Sequence, residues 1–227
     1  MRPFVFINAA MSLDGKISND RREQVRISSP EDFRVVDRLR AESDAVMVGI
    51  GTVLSDDPKL TVKSEELRRE RVERGLPENP IRVVVDSRAR TPLNSQVLNQ
   101  AARTIVAVAE VADEEKVELL RRRAEVFVAG KERVDLRALL EHLYSIGVRR
   151  LMVEGGSEIN YSLIREGLVD EIRVFYSGMV IAGRRAPTLV SGESFDTPVE
   201  ARLKSVEPLG NGVAVVWEMR TANLRKV

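Results

Sequence analysis

Four clusters of polar residues follow apolar runs, and each pairs a charged or hydroxyl side chain with turning or bare backbone. In "MSLDGKIS" (residues 11–18), Asp14-Gly15 predicts a tight turn that sends Lys16 toward the carboxyl end of a strand. That edge is where α/β sheets gather ligands, although a turn with a solvated lysine would look the same. In "VMVGIGTVLSDDP", Gly49 and Gly51 bare the backbone at a strand end, and Thr52 is placed to cap a helical turn. The free N–H groups of such a turn suit a pyrophosphate. Asp56 and Asp57 follow at once, before Pro58. Glycines also serve close packing, and Leu54 stands where a G-x-G-x-x-G fingerprint needs its third glycine, which argues against a standard dinucleotide fold.

The third cluster, "RVVVDSRARTP", ends a buried strand at Asp86-Ser87-Arg88, with Arg90 two residues on. A hydroxyl and a guanidinium at a strand end match the 2′-phosphate of an NADP-type cofactor; a solvated turn is the rival reading. The fourth, "LMVEGGSEIN", runs from a strand into Glu154, Gly155-Gly156 and a helix opening at Ser157. Bare backbone followed by helix amides makes this the best phosphate cradle in the chain, with Glu154 at the strand tip beside it. His142 sits in the helical pattern "LRALLEHLYSIG", far from every glycine turn, and reads as a surface or packed helical residue.

Positioning these clusters requires strands that end where they begin. Apolar, β-rich runs predict strands at 4–9, 45–48, 81–85, 104–109, 126–128, 150–153, 171–177 and 213–219. Helical patterns opened by Ser, Pro or Asp predict helices at 30–42, 113–123, 135–145 and 157–166. Strand–helix alternation through residue 153 predicts an α/β domain with a mainly parallel sheet, and the strand-after-strand pattern past Leu168 predicts antiparallel strands at one end. Residues 64–80 read as a charged surface insertion with a short helix at 65–73.

The 227 residues hold 36 basic and 35 acidic side chains, a net charge of +1, so nothing draws the whole molecule to nucleic acid or an anionic membrane. The basic runs have no interleaved aromatics, which removes a nucleic-acid reading. With no cysteine and one histidine, no metal site is expected. No apolar run is long enough to span a membrane and no secretory signal is recognised, so a cytoplasmic location is expected.

The order "MSLDGKI", "ISSPED", "RAESDAVMVGIGTVLSDDPKLTV", "RVVVDSRARTPL", "MVEGGSEIN" and "GLVDEIRVFYSG" closely resembles the reductases of the riboflavin pathway, both stand-alone enzymes and the reductase half of the bacterial deaminase–reductase. The resemblance covers about residues 2–220, and TVL-x-DDP-x-LTV is its most diagnostic part. It implies a dihydrofolate-reductase-like, three-layer αβα fold with a mixed, mostly parallel central sheet and antiparallel C-terminal strands. Residues 1–220 would form one reductase domain, with 221–227 as a tail. It further implies an NADPH cofactor (NADH the alternative), a homodimer, and reduction of the ribosyl group of a pyrimidine ribotide to a ribityl chain. The absent cysteines leave no zinc deaminase of the P-C-x-x-C kind on this chain. The deamination step is therefore expected on another polypeptide, and the substrate to be the non-deaminated, diamino compound.

Carried across by motif, the resemblance puts Gly51, Thr52, Asp56, Val83, Val84, Val85, Asp86, Ser87, Arg88, Glu154, Gly155, Gly156 and Ser157 along the cofactor. It puts Asn8, Lys16, Ser28, Arg40, Asp57, Leu60, Lys63 and Glu154 at the substrate. Lys63 stands where bacterial members often carry arginine, and Arg40 is either a phosphate ligand or a packed helix-end arginine. Lys16 and Glu154 are the catalytic candidates, for proton handling or electrostatic support. The alternatives are action on the deaminated pyrimidine, a dihydrofolate reductase proper and, from a different class, a non-catalytic nucleotide-binding module.

Overall fold

The computed structural model describes residues 1–220, so the expected tail at 221–227 lies outside the described residues. The chain divides into two compact units, one of residues 1–3 and 37–152 and the other of residues 4–36 and 153 onward.

In the first unit, five strands lie in the order β5 (Glu125–Val128), β4 (Thr104–Val108), β3 (Ile81–Val85), β2 (Ala45–Gly49), β6 (Arg150–Val153, which ends at the unit's border). The β2–β3, β3–β4 and β4–β5 pairs are parallel and in straight register. Val46, Met47, Val48, Val83, Val84 and Ile105 to Val108 are wholly buried, as near-continuous apolar runs must be when both faces of a parallel sheet are covered. Each such Val, Ile or Met side chain contributes about 1.5–3 kcal/mol. Helix α5 (Leu136–Ser145) buries Leu136, Leu139, Leu140 and Leu143, the i, i+3, i+4, i+7 stripe of a core-facing helix, and the Asp135 carboxylate caps it. Helix α4 (Glu114–Arg121) is likewise capped by Asp113 and buries Val117 and Leu120.

In the second unit the order is β1 (Phe4–Met11), β7 (Glu171–Ser177), β9 (Gly212–Met219), β8 (Ala201–Leu209). β1 and β7 are parallel, while β7–β9 and β9–β8 are antiparallel, as the strand-rich C-terminal pattern predicts. α1 (Pro30–Ala41) begins in this unit behind Ser29, whose Oγ accepts the Asp32 amide at 3.2 Å. α6 (Ser157–Arg165) buries Ile159, Asn160, Leu163 and Ile164.

Three elements differ from the sequence expectation. A seven-residue helix, α2 (Ile50–Asp56), starts directly at the end of β2 with Gly49 as its N-cap, so Thr52 lies inside the helix and caps nothing. The run Gln96–Leu98 forms one 3₁₀ turn. Strand β8 escapes the pattern because its residues are almost all exposed, so no apolar alternation marks it, and a bulge between Leu203 and Ser205 shifts its register. The helix in the charged insertion is α3 (Glu65–Glu73), and Ser64 caps it through the Leu67 amide.

Candidate active site

In the first unit the predicted residues gather on loops at the carboxyl ends of β2 and β3. Gly51 is exposed with a negative φ, and no protein atom lies within 4 Å of a Cβ built on it. Its bareness therefore answers no internal packing need. Thr52 is half-buried and Asp56 exposed on the same short helix. Asp57 ends that helix in the left-handed region, at φ 41°, and its Oδ1 accepts the Gln96 amide at 2.7 Å. Asp57 is thus first a tie to the 3₁₀ turn. Leu60, also left-handed at φ 50°, is 1% exposed, so its side chain belongs to the core.

Lys63 is exposed, and its backbone is fixed from α1: Asp37 accepts the Lys63 amide at 2.7 Å and the Ser64 amide at 2.8 Å. Arg40, one turn along α1, donates to the Thr61 carbonyl at 3.1 Å. Arg40 and Lys63 therefore flank one short segment. Asp37 is a positioning residue that sequence reasoning missed, because its partners lie 26 and 27 residues away and leave no local pattern.

The β3 end corrects part of the cofactor expectation. Val83 and Val84 are 0% exposed and have no surface to offer a ligand. Asp86 is equally buried; its Oδ2 accepts the Thr91 amide and hydroxyl at 2.7 and 2.8 Å, so it builds the turn that follows. The Arg90 Nε lies 3.9 Å from the other carboxylate oxygen. Val85 and Ser87 are half-buried and Arg88 is exposed. On this strand, the buried Arg82 guanidinium donates to Thr104 Oγ1, Gln96 O, Asn99 Oδ1, Asn99 O and Ala102 O. Burial pushes its pKa down to about 10, which leaves it charged at neutral pH.

In the second unit, Lys16 lies on a loop closed by the Ser12 amide on the Lys16 carbonyl and by the Lys16 amide on Ser12 Oγ, both at 2.9 Å. Its Nζ, half-buried, is 3.4 Å from the Ala186 carbonyl oxygen. Asp14 pins this loop to the stretch after β7, accepting the amides of Ile181 at 3.0 Å and Ala182 at 2.7 Å. The Ser12 hydroxyl and these two amides hold the Asp14 carboxyl down to about 2.

Ser28 lines an open cavity of about 600 Å³ together with Arg26, Ile27, Ser29, Met179 and Asn211. Asn8 is buried, and its Oδ1 accepts from Arg173 Nη1 at 2.8 Å; the same guanidinium reaches Asp32 Oδ1 at 2.9 Å. Arg173 is thus a second positioning residue that the pattern of β7 does not announce.

Glu154 is half-buried just past β6, and the Gly155–Gly156 peptide is cis. Gly155 has φ 105°, a conformation open to glycine alone without strain. α6 then opens behind Gly156 without a side-chain cap. The Ser157 carbonyl accepts the Ser191 amide at 3.2 Å, and Asn160 Nδ2 donates to the Leu189 carbonyl at 2.9 Å. Among the described residues, no three His, Cys, Asp or Glu side chains are grouped to hold a metal ion, and no helix is long and apolar enough to cross a membrane.

The mostly parallel strands with antiparallel C-terminal partners are those of an α/β protein, and its relatives make it an oxidoreductase. A family model described as the RibD C-terminal domain matches residues 3–215, and the chain belongs to that family. It is 59% identical, over 95% of its length and 97% of the relative's, to a 2,5-diamino-6-ribosylamino-4(3H)-pyrimidinone 5′-phosphate reductase of Archaeoglobus fulgidus. A reductase of the same name from Methanothermobacter thermautotrophicus is 50% identical over 97% of this chain and all of the relative. Among solved structures, the deaminase/reductase of Thermotoga maritima matches with a TM-score of 0.78 at 26% identity, over 96% of this chain and 57% of that one.

Proposed function

We propose that the chain reduces the ribosyl side chain of 2,5-diamino-6-ribosylamino-4(3H)-pyrimidinone 5′-phosphate to the ribityl side chain, with NADPH as reductant. The observation that carries this reading is the 59% identity, end to end, with a relative of that name. The match of the family model from 3 to 215 runs through both units, which supports reading residues 1–220 as one reductase domain.

The residues fit a nicotinamide dinucleotide. Gly51 leaves open space beside Thr52 and Asp56, and Glu154-Gly155-Gly156-Ser157 presents turning backbone ahead of an uncapped helix start that suits a pyrophosphate. Ser87 and Arg88 stand for the adenosine side. When bound, NADPH supplies the hydride that C1′ of the ring-opened, imine-like side chain accepts.

The chain's own residues bind, align and support charge. Arg40 and Lys63 meet the ribotide phosphate from a segment that Asp37 holds in place. Ser28, Asn8 and Asp57 orient the pyrimidine and ribose, and Asp56 faces the cofactor. Lys16 and Glu154 steady the charge that develops as the ribose ring opens and hand over a proton at the ring oxygen. The enzyme works as a homodimer in the cytoplasm; the solvent-facing strand β8, with Leu203 and Val206 half exposed, supports a second copy at that edge.

Turnover of the ribotide with NADPH, followed by nicotinamide absorbance, tests the reaction. Lys16→Ala and Glu154→Ala are each expected to lower kcat by about 10²-fold or more. Near wild-type kcat in both variants would remove the proton-handling roles. Consumption of NADPH only with the deaminated ribotide or with dihydrofolate would replace the substrate. Binding of NADPH without consumption would leave a nucleotide-binding module.

A further inference from the structure

In the second unit, residues 178–200 join β7 to β8 without a strand or helix. Connections of that length are uncommon in a compact fold and usually functional. The first part of this one runs along the loop after β1. Asp14 accepts the Ile181 and Ala182 amides, Asp20 Oδ1 accepts the Arg185 amide at 2.8 Å, and the Ile17 amide donates to the Pro187 carbonyl at 3.0 Å. Between the last two ties lies Ala186, whose carbonyl oxygen takes the Lys16 ammonium at 3.4 Å. The next part is fastened to α6. Asn160 Nδ2 donates to the Leu189 carbonyl at 2.9 Å, and the Ser191 amide donates to the Ser157 carbonyl at 3.2 Å. Phe195 stacks on Tyr161 with ring centroids 5.3 Å apart, and a Cβ on Gly192 would lie 2.4 Å from the same ring.

Pro187 and Leu189 are two residues apart, so at most about 7 Å of chain separates the anchor on the Lys16 loop from the anchor on α6. The connection is long, but between these two anchors it has no slack. Asn160 is the unexpected member. It is 1% exposed and continues the apolar stripe of Leu163 and Ile164, where a leucine would pack without cost. Its Oδ1 has no partner among the described residues, so the bond to Leu189 is the polar contact that offsets burying the amide. Its own N–H donates to the Gly156 carbonyl at 3.1 Å, one turn from the Glu154-Gly155-Gly156 turn. We propose that residues 181–191 are a brace that sets the Lys16 ammonium against that turn, with Asn160 as the positioning residue at its inner anchor and Asp20 at its outer one. This rests on the reading above of Lys16 and Glu154 as the groups that handle charge and the proton.

The test combines kcat for the ribotide with NADPH and the denaturant midpoint in Asn160→Leu, Lys16→Ala and the double variant. Asn160→Leu keeps the side-chain volume and removes the tie, so its midpoint should stay at or above that of wild type while kcat falls about tenfold or more. In the Lys16→Ala background the same substitution should lower kcat by no more than about twofold further, because the group it positions is gone. Asp20 is exposed, so Asp20→Ala loosens the outer anchor without touching the core. It should lower kcat several-fold, and Asp20→Asn, which keeps an acceptor oxygen for the Arg185 amide, should recover most of that loss. This pair decides the matter should Asn160→Leu not fold. Wild-type kcat in Asn160→Leu and Asp20→Ala beside a slow Lys16→Ala, or losses that multiply in the double variant, overturn the brace and leave the role of Lys16 standing. Wild-type kcat in Lys16→Ala removes that role and the brace with it.

Discussion

In the first unit, carboxylates receive backbone amides: Asp37 those of Lys63 and Ser64, Asp57 that of Gln96, Asp86 that of Thr91. In the second unit, one buried guanidinium, Arg173, ties the side chains of Asn8 on β1 and Asp32 on α1. An acid bonded to amides fixes a short stretch of chain, and its loss is felt locally. A buried ion pair joins separate elements, and removing one partner leaves the other charged in a dry place. The first arrangement shapes loops that can then differ in what they bind; the second holds a core together.

Breaking the ion pair should have the largest effect. Arg173→Met leaves Asp32, 1% exposed, without its guanidinium, and should cost about 3–5 kcal/mol in denaturant unfolding. Adding Asp32→Leu should recover much of that loss. If the single substitution costs under about 1 kcal/mol, the contrast between the units disappears.

Asp37→Ala comes next. Two amides lose their acceptor, at a cost of about 1–3 kcal/mol, and KM for the phosphorylated ribotide should rise while KM for NADPH holds. Asp37→Asn, which keeps one acceptor oxygen, should fall between. Equal increases in both KM values would show a general loosening instead of a positioned segment.

The smallest effect tests a clamp of the first kind placed in the second unit. The Asp14 carboxyl is lowered from 3.8 to about 2, so its contribution is complete above pH 3.8 and is lost as pH falls through 2. Protection factors of the Ile181 and Ala182 amides should hold above that window and fall inside it. Asp14→Asn should abolish the acid step; a step that persists would assign it to another group.

Much of the fold was legible because burial imposed a period. The bounds 81–85, 150–153, 171–177 and 65–73 appear in the sequence as they do in the structure. Strand β8 was not legible, since its exposed residues carry no alternation, and α2 was hidden by Gly51 and the β-branched Ile50, Thr52 and Val53. At the site, residue types and turns could be read, but not which acids turn inward. Asp57 meets Gln96 across 39 positions, and Ser87 meets Val134 across 47, distances at which a sequence leaves no local trace.

Arg82 has a consequence for how the molecule comes apart. Its guanidinium fills all five donor sites, and three of the oxygens it reaches are carbonyls between residues 96 and 102, a stretch with little regular structure of its own. A loop held at its surface frays from its tips, whereas this one is gripped from inside by a strand that is buried on both faces. Residues 96–102 therefore open together with β3 as one cooperative block, and a proteinase meets a cleavable loop there only after the sheet itself has parted.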